Sequence, residues 1–116
     1  MMNCVHSGSR PTVELLYFDG CPNYLDYLPR LRRLLASAGL TDGLALRPID
    51  SDQEAGAQRF LGSPSVRVDG QDVEPDAVER RDYGLQCRLY RTGCGLTGFP
   101  PDDWVLEALA RCAKVA

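Results

Sequence analysis

This sequence of 116 residues predicts one α/β domain whose mixed parallel and antiparallel sheet is flanked by helices. Three observations carry that expectation. A short strand-like run, "TVELLYF" (12–18), is followed by a helical repeat, and the pair leads to a second strand-like run, "LALRPID" (44–50). The intervening crossover is long enough to make the two strands parallel and right-handed. Further on, Asp69-Gly70 between two short apolar runs implies an antiparallel hairpin.

Each element has a local reason. Residues 12–18 are rich in β-branched and aromatic side chains, and Asp19-Gly20 breaks the run. From Pro22 to Ala38, Leu25, Leu28, Leu31, Leu35 and Ala38 fall at helical spacing. Pro22 suits the first turn, Gly39 supplies the stop, and the internal Pro29 predicts a kink. After the second strand, "SDQE" (51–54) reads as a capping box opening a short helix through Phe60 and Leu61. "GSPSVRVDGQDVEP" (62–75) gives a loop, the strand Val66–Val68, the Asp-Gly turn and a short return strand. "DAVERRDYG" (76–84) is polar and reads as an inserted loop. "LQCRLYRT" (85–92) alternates Leu85, Cys87 and Leu89 against Gln86, Arg88 and Tyr90, which predicts a strand half-buried on its Leu/Cys face. For Arg88 and Arg91 a solvated position is the expectation, with contact to an anionic thiol as the alternative. "GCGLTGFPP" (93–101) reads as loop, and 102–116 as a closing helix with the stripe Val105, Ala108, Leu109 and Cys112 and Trp104 as a core anchor. No repeat or linker divides the chain. Residues 1–11 read as a flexible tail and 12–116 as the domain.

Composition narrows the function. The net charge of −3 argues against phosphate-backbone binding as the main task, so no nucleic-acid partner is expected. No apolar run approaches the ~18–20 residues of a membrane span, so no membrane partner is expected either. The start, "MMNCVHSGSR", lacks an apolar export region. Five cysteines (Cys4, Cys21, Cys87, Cys94 and Cys112) make an odd count, which disfavours a secreted disulfide framework. Thiol or metal chemistry in a reducing cytoplasm is the expectation, with no cofactor. No CxxC pair and no zinc-finger spacing occur, and the one histidine, His6, stands beside Cys4 in the tail.

The arrangement "YFDGCPN", with Pro29 eight residues after Cys21, resembles the start of a thioredoxin-like protein. "LRPIDSDQEAGAQRFLGSPSVRV" resembles the run in which a strand ends in aspartate, a short helix follows and a cis-proline loop leads into the next strand. The resemblance spans roughly residues 12–115 and extends to small bacterial thioredoxin-family proteins with "GCPN" and "GSP" motifs, some labelled alkylmercury lyase-like. It implies a three-layer sandwich, a cis Ser63-Pro64 bond and a substrate surface made by Pro22, Tyr24, Ser63 and Pro64. Main-chain groups of Ser63 and Ser65 would then receive an extended thiol substrate. Two departures stand out. Tyr24 occupies the place of the second, resolving cysteine, and Leu15 lies near the place of a buried carboxylate.

Independently of any family, a thiol at a helix start faces unpaired N–H groups and the positive end of the helix dipole, which favour a charged sulfur. Such a sulfur is a nucleophile or a soft-metal ligand. Its partner would be Cys87 or Cys94. The resemblance implies Cys87, through "YGLQCRLY", while Cys112 reads as core. Three functions follow. One is a thiol–disulfide oxidoreductase acting on protein or small-molecule thiols and disulfides, with a distant or external resolving thiol. Another is a protein in which Cys21 and Cys87 bind a thiophilic metal such as mercury or arsenic, or process an organomercurial. The last is a redox-inactive interaction module.

Overall fold

The computed structural model describes residues 12–40, 44–93 and 95–113. The expectations for Cys4, His6, the tail and Cys94 fall outside those residues, as does that for the Cys112 side chain. The chain forms a small α/β domain with a mixed sheet and three helices. In order, these are β1 (Val13–Tyr17), α1 (Asn23–Ser37), β2 (Leu44–Pro48), α2 (Asp52–Gln58), β3 (Ser65–Val68), β4 (Gln71–Asp72), a 3₁₀ turn at Ala77–Glu79, β5 (Tyr90–Thr92), β6 (Gly95–Thr97) and α3 (Asp102–Ala113). The sheet order is β2-β1-β3-β4, and β5 with β6 forms a separate hairpin. The β1–β2 pair is parallel and both other pairs are antiparallel, as the crossover and the Asp-Gly turn predict. Asp69 and Gly70 both have positive φ, the geometry a two-residue hairpin turn requires.

Side-chain alternation along β1 assigns the two faces. Val13 and Leu15 join Tyr27, Leu31 and Leu35 of α1, Val66 and Val68 of β3, and Val105, Ala108 and Leu109 of α3 in the main core. Leu16 faces the other way and packs with Ile49, Ala55 and Phe60 around α2. Two helices therefore cover one face and one covers the other. Among the described residues, no helix is long and apolar enough to cross a membrane.

The helix ends follow their sequence signals. Leu40 N–H closes back on Leu35 C=O at 2.8 Å and Gly39 N–H on Ala36 C=O at 3.0 Å, a Schellman stop that seats Leu40 in the core. At α2, Ser51 Oγ accepts from Glu54 N–H at 3.0 Å, while Glu54 Oε1 reaches past the cap to Asp50 N–H at 2.9 Å. That helix stops at Gln58, short of Phe60, because Arg59 turns left-handed at φ 56. Arg67 donates to the terminal carbonyls of Gln58 and Arg59 at 2.5 and 3.0 Å, a cation at the negative helix end.

Four expectations are corrected. Leu25 is 60% exposed, and Tyr27 takes its place on the buried face of α1. Segment 93–101 is not all loop, because Gly95–Thr97 pairs with Tyr90–Thr92. Regular strand in 85–92 covers only Tyr90–Thr92. Its faces are also reversed: Arg88 and Tyr90 are buried while Leu89 is 58% exposed. The reversal has a cause in charge pairing, described with the site below.

The corrected α1 face predicts a contrast. Leu31→Ala removes a fully buried side chain and should lower stability by about 2–5 kcal/mol. Leu25→Ala should stay within about 0.5 kcal/mol of the parent. Denaturant unfolding of the two variants checks the assignment, and similar losses at both positions would contradict it.

Candidate functional site

The site forms where the loop after β1 meets two later segments. Cys21 lies just past the β1 turn, with its N–H on Phe18 C=O at 3.2 Å. Helix α1 begins at Asn23 with Pro22 in the cap position, so Cys21 stands one residue before the cap rather than in the first turn. Its side chain is completely buried. Its sulfur lies 3.4 Å from Ser63 C=O, to which its S–H donates.

The second segment is Gly62–Ser65, which leads into β3. The Ser63–Pro64 bond is cis, the isomer the resemblance implies. Ser63 and Ser65 are buried, and the Ser63 hydroxyl has no hydrogen-bond partner among the described residues.

The third segment, Gly84–Tyr90, lies along the second as a single parallel bridge between Ser63 and Cys87. Ser63 N–H donates to Gln86 C=O at 2.8 Å, and Arg88 N–H donates to Ser63 C=O at 3.0 Å. The pairing delivers Cys87 to Cys21: the Cys87 S–H donates to Cys21 Sγ at 3.2 Å. Cys87 is exposed and Cys21 is buried, and both are free thiols. The hydrogen bond to Cys21 is the main cause that raises the Cys87 thiol above its ordinary value, with desolvation and the charge of Cys21 adding to it. The proton of Cys87 is thus held on the line between the two sulfurs.

Close approach of the second and third segments needs a glycine at 62. Its φ is +128, and a Cβ there would meet both Arg88 Cβ and Gln86 O at 2.9 Å. The segment is fastened along its length. Gly84 N–H donates to Phe60 C=O at 3.0 Å, and Leu85 N–H to Asp52 Oδ1 at 3.2 Å. Gln86 Nε2 donates to Leu61 C=O at 3.1 Å, and Tyr90 Oη to Pro64 C=O at 2.5 Å.

Arg88 is the strongest of these fastenings. Its side chain has no exposed surface, yet it forms ion pairs at 2.7 Å with both Asp72 and Glu74. A second bond to Asp72 at 2.9 Å makes that pair bidentate, and Nη1 also donates to Ser65 Oγ at 2.8 Å. The guanidinium carbon stacks over Tyr90, 4.4 Å from the ring centroid. Burial alone would lower the Arg88 pKa, but Tyr90, Asp72 and Glu74 outweigh it and hold the group above its ordinary value. Burial also raises the Tyr90 phenol, which keeps it a donor to Pro64. These partners explain why the 85–90 alternation faces opposite to its apolar pattern.

The other expected site residues sit at the rim. Pro22 is exposed. Tyr24 is half-buried and stacks on Tyr17 with centroids 4.2 Å apart. Desolvation, then the charge of Asp19, raises the Tyr24 phenol, so it stays neutral. Gly98 packs against the first turn of α1, where a Cβ would meet Asn23 Nδ2 at 2.8 Å. Sequence reasoning missed Arg88, Tyr90, Asp72, Glu74, Gln86 and Gly62 as positioning groups. No pattern local to Arg88 signals them, because Asp72 and Glu74 lie 16 and 14 residues away in sequence.

Two predictions test this geometry. The S–H···S bond implies that alkylation of Cys87 follows a pH curve centred above that of an ordinary thiol, because a raised pKa leaves less thiolate at a given pH. In Cys21→Ala the curve should move to lower pH, and an unchanged curve would contradict the bond. Gly62→Ala should cost roughly 1–3 kcal/mol from strain at this φ and shift the Cys87 curve in the same direction, as the two segments part. Comparison of the chain with protein-family models, curated proteins and solved structures finds no match.

Proposed function

We propose that this chain is a thiol–disulfide oxidoreductase of thioredoxin-like build, whose redox pair is Cys21 and Cys87. The observation that carries the reading is the 3.2 Å separation of two free sulfurs contributed by residues 66 apart in sequence. A disulfide bond is about 2.0 Å long, so closure asks for a movement of only about 1 Å. The thioredoxin-like reading is supported by the mixed sheet with helices on both faces, the cysteine at the β1–α1 junction and the Ser63–Pro64 segment beside it. Tyr24 leaves no neighbouring thiol within α1, and Cys87 takes that part from a later segment. Oxidation of the pair releases two electrons and two protons, which an external disulfide accepts as two thiols.

The same convergence supports a second reading. Two thiolates suit a soft, two-coordinate ion such as Hg(II), bound as cargo, or an organomercurial.

Mild oxidation with diamide should give an intramolecular Cys21–Cys87 disulfide, identified by peptide mapping, and neither Cys21→Ser nor Cys87→Ser should form it. Turnover of a disulfide supports the oxidoreductase. Stoichiometric Hg(II) binding without turnover, lost in either variant, supports the metal-binding reading. If neither variant changes redox behaviour or metal binding, both readings fail and an interaction module remains.

A further inference from the structure

Resting on the redox reading, the geometry points to Cys87 as the sulfur that meets an external disulfide, and to a low-molecular-weight disulfide rather than an extended peptide as its substrate. The first half follows from access. Cys21 has no exposed surface, whereas Cys87 is exposed at the same site. Thiol–disulfide exchange needs an in-line approach to sulfur, so the reachable sulfur goes first.

The second half follows from main-chain accounting. An extended peptide docks on a cysteine site by pairing its backbone with free N–H and C=O groups. At the Ser63 edge beside Cys21 the chain already pairs with itself. Ser63 N–H and C=O are both taken by Gln86 and Arg88. The carbonyls of Phe60, Leu61 and Pro64 accept from Gly84, Gln86 and Tyr90, and that of Gly62 accepts from Ser65 Oγ at 2.5 Å. The edge beside Cys21 is thus filled by residues 84–90, with Arg88 locking them down. Among the described residues, neither sulfur lines the groove bounded by Gln58, Arg67 and Glu107 or the one bounded by Arg30, Phe99 and Trp104.

The step balances as follows for a disulfide RSSR. The pair loses one proton to solvent, and the other stays on the hydrogen bond between the sulfurs. Cys87 Sγ attacks one sulfur of RSSR as that proton passes to Cys21. The S–S bond of RSSR breaks and RS⁻ leaves, taking up the solvent proton. Cys21 Sγ then gives up its proton and attacks Cys87 Sγ, expelling the second RS⁻, which takes that proton. One Cys21–Cys87 bond forms, two electrons move to RSSR, and two RSH result.

The test compares two substrates on the reduced wild-type protein at equal concentration: bis(2-hydroxyethyl) disulfide, and an unstructured peptide carrying a mixed disulfide with the same leaving thiol. The small disulfide should oxidise the pair at least about tenfold faster. In Cys21→Ala the trapped mixed disulfide should map to Cys87, and in Cys87→Ser adduct formation on Cys21 should slow at least about tenfold. A peptide that reacts as fast, or first adducts on Cys21, overturns the inference and leaves the redox reading standing. Failure of both substrates to oxidise the wild-type pair removes the redox reading and this inference together. The substrate comparison needs no variant, so a poorly folding mutant does not shield the claim.

Discussion

A guanidinium with no exposed surface holds this site together. Arg88 enters the interior beside Ser65 and meets the carboxylates of Asp72 in β4 and Glu74 just after it, each only about one-sixth exposed. Such a pair is weak evidence for net stability, because desolvation offsets much of the Coulomb gain. Breaking it is costly, on the order of 3–5 kcal/mol, since a buried charge would be left alone. Its physical effect is therefore on register. Arg88 fits only where Asp72, Glu74, Ser65 and the Tyr90 ring converge, and that fixes the residue before it, Cys87.

From that constraint follows an ordered pair of sulfurs. The exposed Cys87 donates to the buried Cys21, which donates in turn to Ser63 C=O. Ser63 C=O also accepts the Arg88 N–H, so one peptide unit anchors both the buried sulfur and the strap that carries the exposed one. Two thiols within one helical turn would need no such strap. Here Tyr24 fills the helical position and stacks on Tyr17, and the second thiol arrives from 66 residues away.

Much of the architecture was legible because its signals are local. The capping residues around Ser51, the Asp69-Gly70 turn, the stop at Gly39 and the β-branched and aromatic run at 12–18 depend on near neighbours alone. The preference for Cys87 as the partner of Cys21 comes from resemblance, not from any periodicity. Residues 85–90 were misread for a physical reason. Apolar alternation assigns Leu89 inward, but burial of Arg88 is decided by Asp72 and Glu74, which lie 16 and 14 residues earlier. No window around Arg88 contains that information. The strand at Gly95–Thr97 was hidden likewise, because glycine-rich sequence reads as loop until Tyr90–Thr92 supplies a partner.

The central claim is that the buried arginine sets the distance between the two sulfurs. Its most direct test is the equilibrium between the Cys21–Cys87 disulfide and glutathione, measured for the parent and for Arg88→Met, with cooperative unfolding confirming that the variant is folded. Loss of the clamp should lower the equilibrium constant for disulfide formation at least about tenfold, because the effective concentration of Cys87 at Cys21 falls. A folded variant with the parent's equilibrium constant would contradict the account.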